Sequence, residues 1–172
     1  IENVRLFQEL QTKNRDLTEA LEQQTATSDI LRVISSSPTD VQPVFDTILA
    51  NAVRLCGTRN AALYTFDGEL LHFAAGHNLA PEIVARQVNN PVKPDKETAS
   101  RRAALEGRTI HVPDVLASAN FAAYQTEEYR REGRRSTLAV PLLKEDRLLG
   151  VIVTSHYDEV KPFTDNQIKL VE

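Results

Sequence analysis

The sequence has no methionine, no tryptophan, a single cysteine and only six glycines. One cysteine excludes an internal disulfide framework and fits a reducing compartment. No apolar run approaches the roughly 18 residues that span a bilayer, and no signal-peptide pattern precedes the first charged turn, so a cytoplasmic protein without direct membrane contact is expected. Basic charge is not in excess either: 20 Lys and Arg stand against 24 Asp and Glu. That balance leaves no electrostatic footprint for nucleic acid. A chain that opens on Ile1 and holds no methionine is expected to be an excerpt of a longer polypeptide. With 41% hydrophobic and 26% charged residues, the chain falls in the ordinary globular range. Its length allows one modest domain beyond a long first helix.

That helix carries the clearest pattern present. Phe7, Leu10, Asn14, Leu17, Leu21, Gln24, Ser28 and Leu31 alternate at spacings of three and four, the seam of a coiled coil. Asn14 and Gln24 weaken the seam while fixing its register. Lys13, Arg15, Asp16, Glu19, Glu22 and Gln23 form a polar face, and the seam is read as a homodimer contact; the alternative is that it packs on its own domain. The helix is expected over residues 2–34, ended by the Ser35, Ser36, Ser37, Pro38 cluster.

A second helix follows, capped by Asp40 or Thr39 and stopped at Gly57, with Ile30, Val33 and Ile34 as candidates to pack beside it. Strand character at 61–66 and 70–75 flanks Asp67-Gly68, a strong hairpin signal. Short helices are expected at 81–88 and 98–106, the second stopped by Gly107, and a strand at 109–112. A long polar and aromatic connection runs over 114–133, with a helical turn or two at 127–131. Strands at 137–143 and 148–155 flank a second hairpin, and Thr164 with Gln167 forms a capping box opening a last helix, expected to continue past Glu172. The order predicts an α+β domain: an antiparallel sheet of five or six strands with helices on the opposite face, preceded by the long coiled-coil helix.

Four ordered motifs then carry a resemblance. They are Cys56-Gly57-Thr58-Arg59-Asn60-Ala61-Ala62-Leu63-Tyr64; Ala104-Leu105-Glu106-Gly107-Arg108-Thr109-Ile110-His111-Val112-Pro113-Asp114-Val115; Val140-Pro141-Leu142-Leu143 with Leu149-Gly150-Val151-Ile152; and Pro162-Phe163-Thr164. Together they resemble a GAF domain, of the kind found in multidomain bacterial sensor histidine kinases and nucleotide cyclases. The resemblance covers about residues 41–172 and divides the chain into a signalling helix, 1–36, and a GAF domain, 37–172. It implies a sensory and regulatory module of a two-component or similar system, usually dimeric, with a pocket between the sheet and the irregular middle for an unidentified small molecule. Residues 1–7 resemble the tail of an upstream GAF domain's last helix, which implies neighbouring GAF and output domains as partners.

No catalytic constellation is visible, and neither a metal nor a cofactor is expected. His72, His77, His111 and His156 are scattered. His111 alternates with Ile110 and Val112, so it either projects into the cavity or is satisfied by a loop carbonyl. Cys56 reads as a buried, inert thiol; a thiol-dependent, sulfoxide-reducing relative would want a second, resolving cysteine. Cyclic-nucleotide-binding relatives carry an Asn-Lys pair where Ser155-His156 stands here, and Asp-Glu where Gln167-Ile168 follows Phe163, which speaks against that ligand. A bilin would need an attachment cysteine in the pocket region.

The best ligand candidates are Phe121, Tyr124 and Tyr129 on the long connection, followed by Arg130, Arg131, Arg134 and Arg135, facing Phe73 and His111 on the sheet. Aromatics stack on a planar ligand and guanidinium groups clamp a carboxylate or phosphate. The alternative is that Phe121 and Tyr124 close the core and the arginines form a solvated turn paired with Glu127, Glu128 and Glu132. Beside the sensory reading stand a small reductase acting through Cys56 and a passive spacer.

Overall fold

The computed structural model describes residues 2–36 and 40–172. Helix α1 (Glu2–Ser36) is unbroken, as the absence of Gly and Pro predicts. Ser37 and Pro38, expected to end it, and Thr39, a candidate cap, lie outside the described residues. In α2 (Gln42–Cys56) the Oδ1 of Asp40 accepts the Gln42 N–H at 3.0 Å, and Gly57 ends the helix with a φ of 64°.

Strands β1 (Asn60–Phe66) and β2 (Leu71–His77) form the first hairpin. Its connection is longer than the Asp-Gly pair alone: residues 67–70 form the loop, and Oδ1 of Asp67 accepts the N–H groups of Glu69 and Leu70, both at 2.8 Å. The carboxylate, not the dipeptide turn, sets the geometry. Helix α3 (Pro81–Val88) opens on its proline, and α4 (Ala99–Glu106) is capped by Thr98 and closed by Gly107 at φ 62°. Strand β3 (Ile110–Val112) leads through a 3-10 turn (Ala122–Gln125) and α5 (Glu127–Arg131) to β4 (Arg134–Lys144) and β5 (Arg147–Tyr157). Glu145 and Asp146 make that hairpin's turn with φ of 50° and 65°. Helix α6 (Asp165–Val171) carries the expected Thr164/Gln167 capping box.

The five strands form one antiparallel sheet in the order β2-β1-β5-β4-β3. Helices cover both of its faces. On one, Leu49, Ala52 and Cys56 of α2, with Ile168 and Val171 of α6, pack on Ala61, Leu63, Leu138, Val140 and Ile152. On the other, Ala99, Ala103 and Ala104 of α4 lie against Ile110, Val112, Ala139, Val151 and Val153. Small side chains let α4 approach β3, β4 and β5 closely, and α3 stands beside β2. Gly150 of β5 is required by an equally close approach, since a Cβ there would fall on the Tyr64 carbonyl oxygen of β1.

Helix α1 has two opposite faces. Ala26 is buried, and Ile30 and Val33 half-buried, on the side that meets α2, as expected for the last two; Ile34's side chain lies outside the described ones. Half a turn away, Leu10, Leu17, Leu21 and Leu31 are 58% to 69% exposed. The seam therefore does not pack on its own domain. Glu19 and Glu22, expected on a solvated face, are half-buried on the domain side, where Glu19 accepts a 2.6 Å hydrogen bond from Nδ2 of Asn166. Among the described residues, no helix is long and apolar enough to cross a membrane.

Candidate functional site

A cavity of about 360 Å³ opens between the α4 face of the sheet and the irregular middle of the chain. Tyr64 and Leu71 form its floor, α3 and the residues after it one wall, the start of α4 another, and Ala123 and Tyr129 its cover. Tyr64 reaches this space because β1 alternates: Leu63 points to α2 and Tyr64 to α4. Its hydroxyl donates to Oε1 of Gln87 on α3 at 2.7 Å, and burial pushes the phenol above its ordinary pKa. Behind this bond lies a recess of about 20 Å³ that Tyr64, Gln87 and Arg134 share with Tyr157. The cavity lining mixes apolar side chains with hydroxyls, amides and the guanidinium side chains of Arg86 and Arg101, with Thr98 and Ser100 at the first turn of α4 and Asn90 after α3. Such a lining orients a small polar molecule and offers no nucleophile activated by a base.

Of the expected ligand residues, only Tyr129 lines this cavity. Phe121 and Tyr124 are 5% and 2% exposed and belong to the core. The Tyr124 hydroxyl accepts the Ala99 N–H at 2.8 Å, satisfying one of the orphan donors of α4, and burial pushes its pKa up to about 12. Phe73 stands edge-on behind Tyr64 at 5.9 Å without lining the cavity. His111 faces the other side of the sheet: Ile110 and Val112 point to α4, and the imidazole packs on Phe163 at 5.7 Å. Its Nε2 accepts the Phe163 N–H at 3.1 Å, so it is satisfied by a loop amide where a loop carbonyl was expected, and burial holds its pKa low.

The arginines divide. Arg130 and Arg131 are exposed, with Arg131 paired to Glu127, as the solvated-turn alternative has it. Arg135 holds Asp114 with two contacts of 2.9 and 3.3 Å, keeping that carboxyl below its usual range. Arg134 is not solvated. It lies 14% exposed on β4 between the rings of Tyr129 and Tyr157, at 5.7 and 5.6 Å. Glu132 bridges it to Arg86 of α3, at 3.3 and 2.7 Å respectively. Tyr64, Gln87 and Arg86 were not among the sequence candidates. Alternation within β1 exposes Tyr64 as a face residue, while nothing local couples α3 to residues 46 positions later.

Cys56 has no exposed surface and packs with Leu138, Val140 and Phe163 on the α2 face; burial pushes its thiol up to about 12. Among the described residues, no group of three His, Cys, Asp or Glu is placed to hold a metal ion.

The GAF domain family model matches residues 40–172. The chain belongs to the GAF family. GAF domains are sensory and regulatory modules of signalling proteins. The chain also resembles the GAF domain/HD domain protein from Geobacter sulfurreducens, at 21% identity and a TM-score of 0.63 over 77% of this chain and 85% of that one. It is similar to the chromophore-binding domain of the Stigmatella aurantiaca bacteriophytochrome, at 13% identity and a TM-score of 0.64 over 90% of this chain and 56% of that one. A third likeness is to the free methionine-R-sulfoxide reductase from Neisseria meningitidis, at 16% identity and 0.57 over 85% of each chain. These identities speak for the GAF fold alone. No curated protein is matched by the chain.

Proposed function

We propose that this GAF domain is a non-catalytic sensory and dimerisation module of a cytoplasmic bacterial signalling protein, such as a sensor histidine kinase or a nucleotide cyclase. In this reading α1 is a signalling helix that pairs with a second copy and relays the state of the domain to neighbouring GAF and output domains. The observation that carries it is the two-sidedness of α1. Ala26, Ile30 and Val33 hold the helix to α2, while Leu10, Leu17, Leu21 and Leu31 remain exposed on the opposite side. A solitary helix exposed all round over residues 4–18 is marginal in water, and a self-complementary heptad seam with Asn14 and Gln24 supplies the missing partner.

The relay has a physical route. The cavity floor is Tyr64, its neighbour Leu63 packs on Leu49 and Ala52 of α2, and α2 carries α1. A ligand that moves β1 would tilt the balance between two packings of the α1 pair, which its polar seam positions keep close in energy. The burial and raised pKa of Cys56 speak against thiol chemistry, which needs an accessible thiolate.

Sedimentation equilibrium tests the pairing. The wild-type chain is expected to be a dimer at tens of micromolar, and Leu17→Glu with Leu21→Glu a folded monomer. A monomeric wild type, or a double variant of unchanged mass, contradicts the proposal.

A further inference from the structure

Arg134 is the least well satisfied buried charge on the cavity side of the sheet. A guanidinium carries five N–H donors and stays protonated at any ordinary pH. Here the two hydrogen bonds it makes are long, 3.3 Å to Oγ of Ser155 and 3.3 Å to Oε2 of Glu132. Glu132 is the closer partner of Arg86, at 2.7 Å. The Nε of Arg134 is enclosed with no hydrogen-bond partner at all. The rings of Tyr129 and Tyr157 beside it stabilise the cation by their faces and supply no acceptor to Nε. A buried donor left this way costs free energy that an anionic oxygen in contact would recover.

Nε itself has no surface open to a water-sized group, but Arg134 borders a space of that size. The recess beside Arg134, about 20 Å³, holds one water-sized group and shares Tyr64 and Gln87, joined by their hydrogen bond, with the 360 Å³ cavity. The recess takes one oxygen, and the rest of the ligand lies in the 360 Å³ cavity, which a single phosphate ion is too small to fill. The outer cavity meets the rest of a ligand with Leu71, Val92 and the ring of Tyr129, beside the hydroxyls of Thr98 and Ser100 and the charged Arg101. We infer that the cavity takes a small organic monocarboxylate with a flat body, its carboxylate drawn into the recess by Arg134 and in competition with Glu132. The inference rests on the sensory reading above and names the ligand class of the same pocket. It also assigns Glu132 a role as an internal stand-in: its carboxylate holds α3 and β4 together through Arg86 and Arg134 until a ligand's carboxylate takes over at Arg134.

The test is NMR titration of the whole chain with benzoate and with benzamide, its neutral isostere, and with inorganic phosphate, following the backbone amides of Tyr64, Gln87 and Arg134. Benzoate should bind at least tenfold tighter than benzamide, and phosphate should leave these resonances unmoved. Arg134→Gln should weaken benzoate tenfold or more while benzamide is unaffected, and Glu132→Gln should tighten benzoate several-fold by removing the competing charge. Should Arg134→Gln fail to fold, Glu132→Gln alone decides: unchanged or weaker benzoate binding overturns the inference. Equal binding of the acid and the amide, or phosphate binding as well as benzoate, overturns it while leaving the pocket as a ligand site. If neither benzoate nor benzamide shifts these amides, the ligand-binding reading of the cavity falls, and the inference falls with it.

Discussion

The two faces of the sheet are built from the same strands and finished in opposite ways. Toward α2 the strands present Leu63, Leu138, Val140 and Ile152, and the helix answers with Leu49, Ala52 and Cys56, each nearly or wholly without exposed surface. Toward α4 the covering helix offers only alanines, so it seats closely on β3 to β5 and leaves β1 and β2 to be roofed by α3, the 3-10 turn and α5. That roof is joined by polar contacts: Tyr64 to Gln87, Arg86 to Glu132, Tyr124 to the start of α4. The difference teaches where function has room. A filled apolar face transmits displacement as a solid would, and a face closed by hydrogen bonds over a cavity can trade those bonds for a ligand's. The α2 face also carries α1, so the rigid side is the one bound to the proposed relay.

The contrast breaks most visibly under truncation. Leu49→Ala should destabilise the domain by about 2–5 kcal/mol, because it removes a fully buried side chain from a packed layer. Tyr129→Ala, at the cavity cover, should cost well under half as much, since one side of the ring already faces open space. Chemical denaturation of both variants measures the ratio, and equal losses would erase the distinction between the faces.

A subtler variant separates core from ligand roles on the α4 side. Tyr124→Phe keeps the ring and removes the acceptor of the Ala99 N–H, leaving a buried donor unsatisfied at a cost of about 1–3 kcal/mol. Stability should fall and benzoate affinity should not; the reverse would return Tyr124 to the ligand site.

The smallest effect is acid sensitivity, and it belongs to the α2 face. Burial lowers the pKa of His111, against a small opposing pull from Asp165, and lowers that of His156, with Lys161 adding to the effect. Both have an ordinary value of 6.5, so as pH falls through that value the unfolded chain takes up protons before the folded one does. Stability should be level above about pH 7 and decline below about 6.5 toward the depressed native values. Protonated His111 cannot accept the Phe163 N–H, whereas the Oε1 of a glutamine can. Melting temperatures from about pH 7 to 5 should therefore fall less steeply in His111→Gln than in the wild type.

Most elements were legible because their ends are punctuated. Pro81 opens α3, Thr98 and Gly107 bracket α4, and Thr164 with Gln167 opens α6, each through a local backbone requirement. The site was less legible. Alternation places Ile110, His111 and Val112 on two faces without telling which face holds the cavity, and the reading of His111 as a pocket residue fails there. The register shifts between Leu63 and Tyr64, and between Leu142 and Leu143, are likewise silent in the sequence. Arg134 and Arg135 are adjacent and chemically alike, yet at the register shift between Arg134 and Ser136 one goes to the recess beside Tyr157 and the other to Asp114. Phe121 and Tyr124 read from the long connection either as lid residues or as a closure of the core, and tertiary packing decides for the core. The contacts that define the cavity join residues 23 and 46 positions apart, beyond the reach of any local pattern.

Native-state amide exchange of the unliganded chain tests most directly whether one face is solid and the other openable. Amides of α2, β1 and β5 should exchange only through global unfolding, with α3, the 3-10 turn and α5 opening at distinctly lower free energy. Equal protection of α3, α5 and α2 would contradict the account, since the cavity would then have no cover able to move.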